Sequence, residues 1–322
     1  MIVNIFKTIG PRTYFTSIFL ILFAVLFSFA LKKKGTFLLE QWPYILGNVI
    51  LMVAFIAIIT FLENQHRGRK LDGIHLIAYP TIFLFLPTVF ELKPIPILQT
   101  ILLIFGQYIF IKTLHSKNKE KGMLDLSLII SVIVQFNLVF GIFYLLPLYI
   151  FINRGIKDTK YLLALLLPIL IIPFTFNSLS GILSDETFTL INPPIHLNPL
   201  KPHFLSNSDW VWLITLFLSV LVCFLQLPRG HKKFSYPELF SGFLYMTFWL
   251  FFSITFGLLG LQTLQERWFI SFIPAAYFFG IFLEKIKSDS LRNILFSSLF
   301  FGIVIFKLFH NGIISLELPF GN

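Results

Sequence analysis

Few side chains in this sequence can do proton or metal chemistry, and they are thinly spread. The seven histidines are His66, His75, His115, His196, His203, His231 and His310. No two stand three or four apart, the spacing that puts two imidazoles on one helix face to share a metal ion. No metal site is expected. The single cysteine, Cys223, lies within an apolar run. It can form no intrachain disulfide, and it reads as a small buried apolar side chain. There is no phosphate-cradling glycine loop, dinucleotide fingerprint, zinc-protease motif or nucleophile elbow with triad partners, so no cofactor is expected. The carboxylates that could act, all expected on the outer side of a membrane, are Glu40, Glu91, Asp185, Glu186, Asp209, Glu266 and Glu317. Glu40 stands just before Trp42-Pro43, and Glu266 precedes Arg267. Each also suits an exposed charge at a membrane surface. None falls in the middle of an apolar run, where an ion-coupled transporter usually carries a paired acid.

The elements that must position these groups are apolar helices. Of 322 residues, 57% are hydrophobic and 12% charged, with a mean hydropathy of +0.85. Apolar runs of 16 to 20 residues recur between short charged links. That pattern predicts an all-α, polytopic transmembrane helix bundle with membrane lipids as its surroundings. Alternating ten-residue strands of a membrane barrel are absent. The net charge of +10 would suit nucleic acid, but Lys and Arg gather in the links between apolar runs, where they set topology. No nucleic-acid partner is expected. The run from Tyr14 to Leu31 ends in Lys32-Lys33-Lys34 and lacks a small-x-small cleavage site, so it reads as a retained first helix.

Crossings are expected near 14–31, 44–62, 74–91, 97–114, 161–176, 210–227, 239–259, 267–284 and 293–310, about nine in all. Pro80 and Pro87 should bend the third, and Pro168 and Pro173 the fifth. The stretch 124–153 is the organising one. Its only charge is Asp125. Two readings compete: a single crossing, or a hairpin of two short helices broken near Gln135-Phe136-Asn137. Each arm of the hairpin would have about 14 residues and reach about 21 Å. With the hairpin and a cytoplasmic N-terminus, 18 Lys and Arg lie inside and 7 outside; with a single crossing the division is 12 and 13. The positive-inside bias selects the hairpin.

In that topology Trp42, Trp210, Trp212 and Trp268 fall at outer helix ends, as an interfacial belt would, whereas Trp249 is a mid-helix packing residue. The segment 177–209 is the long extracytoplasmic loop. Its four prolines, Pro193, Pro194, Pro199 and Pro202, disfavour a long helix. Residues 1–322 otherwise read as a single integral membrane domain.

Four stretches carry a resemblance: PRTYFTSIFL, IAYPTIFLFLPTVFE, KGMLDLSLIISVIVQFNLVFGIFYLLPLYIF and ERWFISFIPAAYFFGIFLEKIK. On these the chain resembles an uncharacterised Bacteroidetes family of polytopic membrane proteins of about 300 residues, which implies the bacterial inner membrane and no stated activity. More widely, residues 74–153 resemble the GT-C glycosyltransferases, which take sugars from polyprenyl-phosphate carriers. Those enzymes have a helical hairpin entered and left from the cytoplasmic side, after a proline-bearing helix. The resemblance implies a catalytic acid in the first outer loop, and here KKKGTFLLEQW offers Glu40. Glu40 would be the general base, and Arg267 or Lys201 would meet the carrier phosphate. A non-catalytic membrane subunit or scaffold of a cell-envelope complex, holding a protein partner, is the alternative. A small-molecule transporter is the third.

Overall fold

The computed structural model describes residues 11–32, 74–85, 94–116, 118–153, 159–183, 207–226, 237–259 and 269–310, with Leu46, Val49, Ile50, Val53 and Ala57 between the first two. Every regular element among them is helical. In chain order they are α1 (Pro11–Lys32), α2 (Ile74–Phe85), α3 (Pro94–His115), α4 (Lys119–Phe136), a 3-10 segment (Leu138–Tyr144), α5 (Leu145–Asn153), α6 (Thr159–Leu183), α7 (Asn207–Gln226), α8 (Pro237–Leu259), a 3-10 turn (Phe269–Ser271), α9 (Phe272–Lys285) and α10 (Asp289–His310). Among the described residues, four helices are long and apolar enough to cross a membrane: Leu98–His115, Thr159–Leu179, Phe240–Leu258 and Asp289–Leu308. Shorter apolar helices cover Arg12–Ala24, Leu138–Ile152 and Asp209–Leu225.

The chain forms two compact units. One comprises residues 1–92, 200–228 and 268–322, the other 93–199 and 229–267. In the first, α9 packs on α2 and α7, and α2 also meets α1 and α10. Residues Phe272 to Phe278 of α9 are all buried, as are Gly280 and Leu283. Tyr79 of α2 meets Phe272 edge-on with 6.2 Å between ring centroids. Trp212 of α7 is fully buried, and its indole N–H donates to Ser271 Oγ at 3.2 Å. This corrects its expected place in an interfacial belt: the indole has a buried hydroxyl partner inside the unit. Trp210, two residues earlier, is half exposed. The link from α9 to α10 is locked by Arg292, which donates through Nη2 to Ile286 O at 2.5 Å.

In the second unit the stretch 124–153 breaks at Asn137. The N–H of Asn137 donates to Ile133 O at 3.2 Å and so ends α4. Its φ and ψ of −163° and 112° are extended. Its side-chain Oδ1 then accepts from Val139 N at 3.1 Å, and its carbonyl accepts from Phe140 N at 3.1 Å. One residue thus caps the helix before it and starts the 3-10 segment after it, the local bonding that makes Asn a turn former. The chain then folds back. Ser131 and Tyr144, on either side of the break, share a hydrogen bond between their hydroxyls.

The first arm is longer than the pattern of apolar residues suggests. It begins at Lys119 and has 18 residues, about 27 Å. The polar residues Lys119 to Lys121 are good helix formers, and Glu120 lies in the first turn, where it favours the positive end of the helix. Helix α6 also outruns its expected end at 176 and continues to Leu183. There Thr175 and Ser178 return their hydroxyls to the carbonyls of Ile171 and Phe174, both at 2.8 Å. Polar side chains bonded to their own helix do not end it. The link between α6 and α7, 184–206, lies outside the described residues.

Aromatic rings fill the space between the hairpin and α8. In the 3-10 segment, residues three apart share a face, so Phe140 and Phe143 both enter it, and both are fully buried. Phe143 lies 4.9 Å from Phe252 and 5.2 Å from Phe248, and Phe140 lies 5.1 Å from Phe252, all between ring centroids. Tyr245 of α8 donates to Leu103 O of α3 at 2.7 Å. It passes close to Gly106, where an added Cβ would stand 2.9 Å from the phenol oxygen. One turn before Leu103, the buried Gln99 has no hydrogen bond from either amide atom among the described residues, and the same holds for the indole N–H of the buried Trp249. A buried unmet polar group costs about 1–3 kcal/mol. Gln99→Leu is therefore expected to raise the thermal midpoint of the detergent-solubilised protein. A lowered midpoint would show that the amide serves the fold.

Candidate functional site

A cluster of described polar side chains with the chemistry to hold a ligand lies at one end of the second unit. Three consecutive features bring them there. Helix α3 ends at His115, α4 starts at Lys119, and only Ser116 to Asn118 separate them. So short a link forces the two helices to run back along each other. Close approach then depends on Gly122. A Cβ there would fall 2.0 Å from Thr113 Oγ1 and 2.8 Å from Thr113 Cβ. Thr113 cannot swing away cheaply, because it is buried and its hydroxyl donates to Ile109 O at 2.7 Å. The end of α3 is also tied to α8, where His115 Nε2 meets Ser241 Oγ at 3.0 Å.

Around this turn the charges are mixed. Lys112 sits over the Tyr108 ring, 5.7 Å from its centroid. Lys160, at the start of α6, sits 5.2 Å over the Tyr161 ring and 3.9 Å from Glu120. Both partners of that ion pair are about half exposed, so the pair adds little stability. Asn118 caps α4 without a side-chain hydrogen bond, which leaves first-turn N–H groups of α4 without that partner.

Two grooves open here. One, of about 560 Å³, is lined by Tyr108, Lys112, Thr113, Asn118, Lys121 and Asp125 among others. The other, of about 530 Å³, is lined by Asn118, Glu120, Lys121 and Lys160 with apolar residues of α4 and α6. Asn118 and Lys121 line both. Their volumes fall in the range of small-molecule sites. Chemically, the corner offers ammonium donors, two carboxylates and an amide at the ends of candidate spans.

The residues expected to act, Glu40, Lys201 and Arg267, all lie outside the described residues, and so do Glu91, Asp185, Glu186, Glu266 and Glu317. Asp209 lies in the first turn of α7. Cys223 is buried in α7. Among the described residues, no group of three His, Cys, Asp or Glu side chains is arranged to hold a metal ion. The lysines at the α3–α4 turn entered the sequence reading only as topology-setting charges. A usable signal was present: Tyr108 with Lys112, and Lys121 with Asp125, each stand four apart, which places both pairs on one helix face.

No protein-family model matches the chain, and no curated protein or solved structure matches it.

Proposed function

We propose that the chain is a multi-pass protein of the bacterial inner membrane, N-terminus cytoplasmic, with about nine full crossings and a hairpin arranged as in GT-C glycosyltransferases, and that it transfers sugar from a polyprenyl-phosphate carrier. The observation that carries this reading is the break at Asn137, with the return of Tyr144 onto Ser131. A chain that doubles back there returns Lys160 toward the side of Lys119 and Lys121, the arrangement with the strong positive-inside bias. In this reading Glu40 takes the acceptor proton, and Arg267 or Lys201 holds the carrier phosphate.

One observation favours a second reading, a non-catalytic membrane subunit. The interior between the hairpin and α8 is closed by aromatic side chains from Phe140 to Phe256. A hairpin packed so tightly suits a scaffold as well as an enzyme.

The test has two parts. Single cysteines at Lys119 and Lys157 in a Cys223→Ser background should label from the same side of inverted and right-side-out vesicles. Labelling from opposite sides removes the topology. Reconstituted protein should then move labelled sugar from a polyprenyl-phosphate donor, and Glu40→Gln should abolish transfer without loss of the inserted protein. Unchanged transfer in that variant removes Glu40 from the mechanism, and no transfer by the unaltered chain leaves the subunit reading.

A further inference from the structure

We propose that the paired grooves at the α3–α4 turn form a binding site for a zwitterionic phospholipid headgroup, one with a phosphate and a primary amine. The inference is independent of the glycosyltransferase reading. It requires only that the candidate spans Leu98–His115 and Thr159–Leu179 lie in a bilayer. Both spans terminate at this corner, one at its end and one at its start, which sets the grooves at headgroup depth.

The charges decide which headgroup. The larger groove has Lys112 and Lys121 with Asp125. The smaller has Lys121 and Lys160 with Glu120. A purely anionic head would meet a carboxylate in either groove, at a cost from like-charge repulsion. A purely cationic one would meet two ammonium groups. A phosphate joined by two carbons to an ammonium satisfies both. Its phosphate takes charge-assisted hydrogen bonds from lysine, and its primary amine donates to the carboxylate. A quaternary ammonium has no N–H to donate, so a choline head loses the second set. Two positions around the turn are already fixed, and a helix start adds to them. Gly122 holds the helices together, Tyr108 supports Lys112, and the first-turn N–H groups of α4 add positive potential beside Asn118. A site held in place before the lipid arrives loses less entropy on binding.

The test is lipid retention by the purified full-length protein in detergent, read by native mass spectrometry. Phosphatidylethanolamine, phosphatidylglycerol and phosphatidylcholine would be supplied at equal concentration. Phosphatidylethanolamine should be retained roughly tenfold over each of the others. Lys121→Gln should reduce retention of both phosphatidylethanolamine and phosphatidylglycerol by a similar factor, because it removes the donor common to both grooves. Each groove has its own carboxylate, so Asp125→Asn combined with Glu120→Gln should erase the preference for the ethanolamine head while leaving phosphatidylglycerol at least as well held. Equal retention of the three lipids by the unaltered protein overturns the proposal, and that measurement needs no variant to fold. A preference that survives the double variant also overturns it. Soluble glycerophosphoethanolamine at the same concentration should bind far more weakly than the lipid; equal binding would mean a water-soluble ligand and would overturn the lipid assignment.

Discussion

Gly122→Ala should be among the most damaging single-methyl changes in the second unit. The added carbon would stand 2.0 Å from the Thr113 hydroxyl and 2.8 Å from two of its carbons, so α3 and α4 must separate. Overpacking of this kind costs about 1–3 kcal/mol, and the upper end applies where the neighbour is buried and bonded in place. Thr113 is both. The readout is the fraction of protein that remains monodisperse after a heating series in detergent. The midpoint should fall by several degrees. A double variant with Thr113→Ala should recover part of the loss, because two of the three crowded atoms leave and the third, Cβ, remains. Equal midpoints for Gly122→Ala and the unaltered protein would mean that the helices do not approach as described. Losses that simply add in the double variant would mean that the two residues do not meet.

The second large effect belongs to Phe143. It is fully buried and touches Phe248 and Phe252 edge-on, with interplanar angles of 87° and 76°. Removing a buried ring costs about 3–5 kcal/mol, and aromatic pairs in favoured geometry add about 0.5–1.5 kcal/mol. Phe143→Ala should therefore release the second arm of the hairpin from α8. Heating should denature it well below the unaltered protein, and a cysteine placed at Leu146, buried in the intact unit, should become reactive. Leu138→Ala is the internal control. Leu138 lies in the same 3-10 segment but is 66% exposed. Its loss should be close to neutral in detergent. Comparable damage from the two substitutions would mean that the segment is held by its helical state and not by this aromatic contact.

The break at Asn137 was readable because a polar Gln-x-Asn interruption in a long apolar run has few places to go. An apolar surrounding tolerates unpaired backbone only where side chains satisfy it, and Asn137 does this with its own amide. Helix ends were less readable. Lys119 to Lys121 look like loop by charge but are good helix formers beside Asn118, and Thr175 and Ser178 look like loop by polarity but bond to their own helix. Trp212 was misplaced for a different reason. Its partner Ser271 stands 59 residues away, and no local pattern announces a contact of that range. The charged corner was hidden in plain counting. Lysines in links have a sufficient explanation in topology, so their arrangement into grooves with Asp125 and Glu120 appears only when α3, α4 and α6 are assembled. Of the expected catalytic set, Glu40, Lys201 and Arg267 fall outside the described residues, and the sequence supplied no local partner to tie any of them down.

The burial of α9 also dictates an order of manufacture. From Phe272 to Phe278 no side chain of this helix is left for lipid, so it is at home only among its neighbours. The ribosome delivers it late, after α1, α2 and α7 and after the last helix of the second unit. Until then α2 lacks the partner against which Tyr79 packs, and Trp212 lacks its acceptor. The described helices of the second unit are complete by Leu259, so that unit can mature first, whereas the first stays an open cradle until its centrepiece arrives. Released chains truncated at residue 267 should thus hold a protease-resistant second unit and an unfinished first, and they mimic the intermediates on which a membrane insertase or quality-control protease would act.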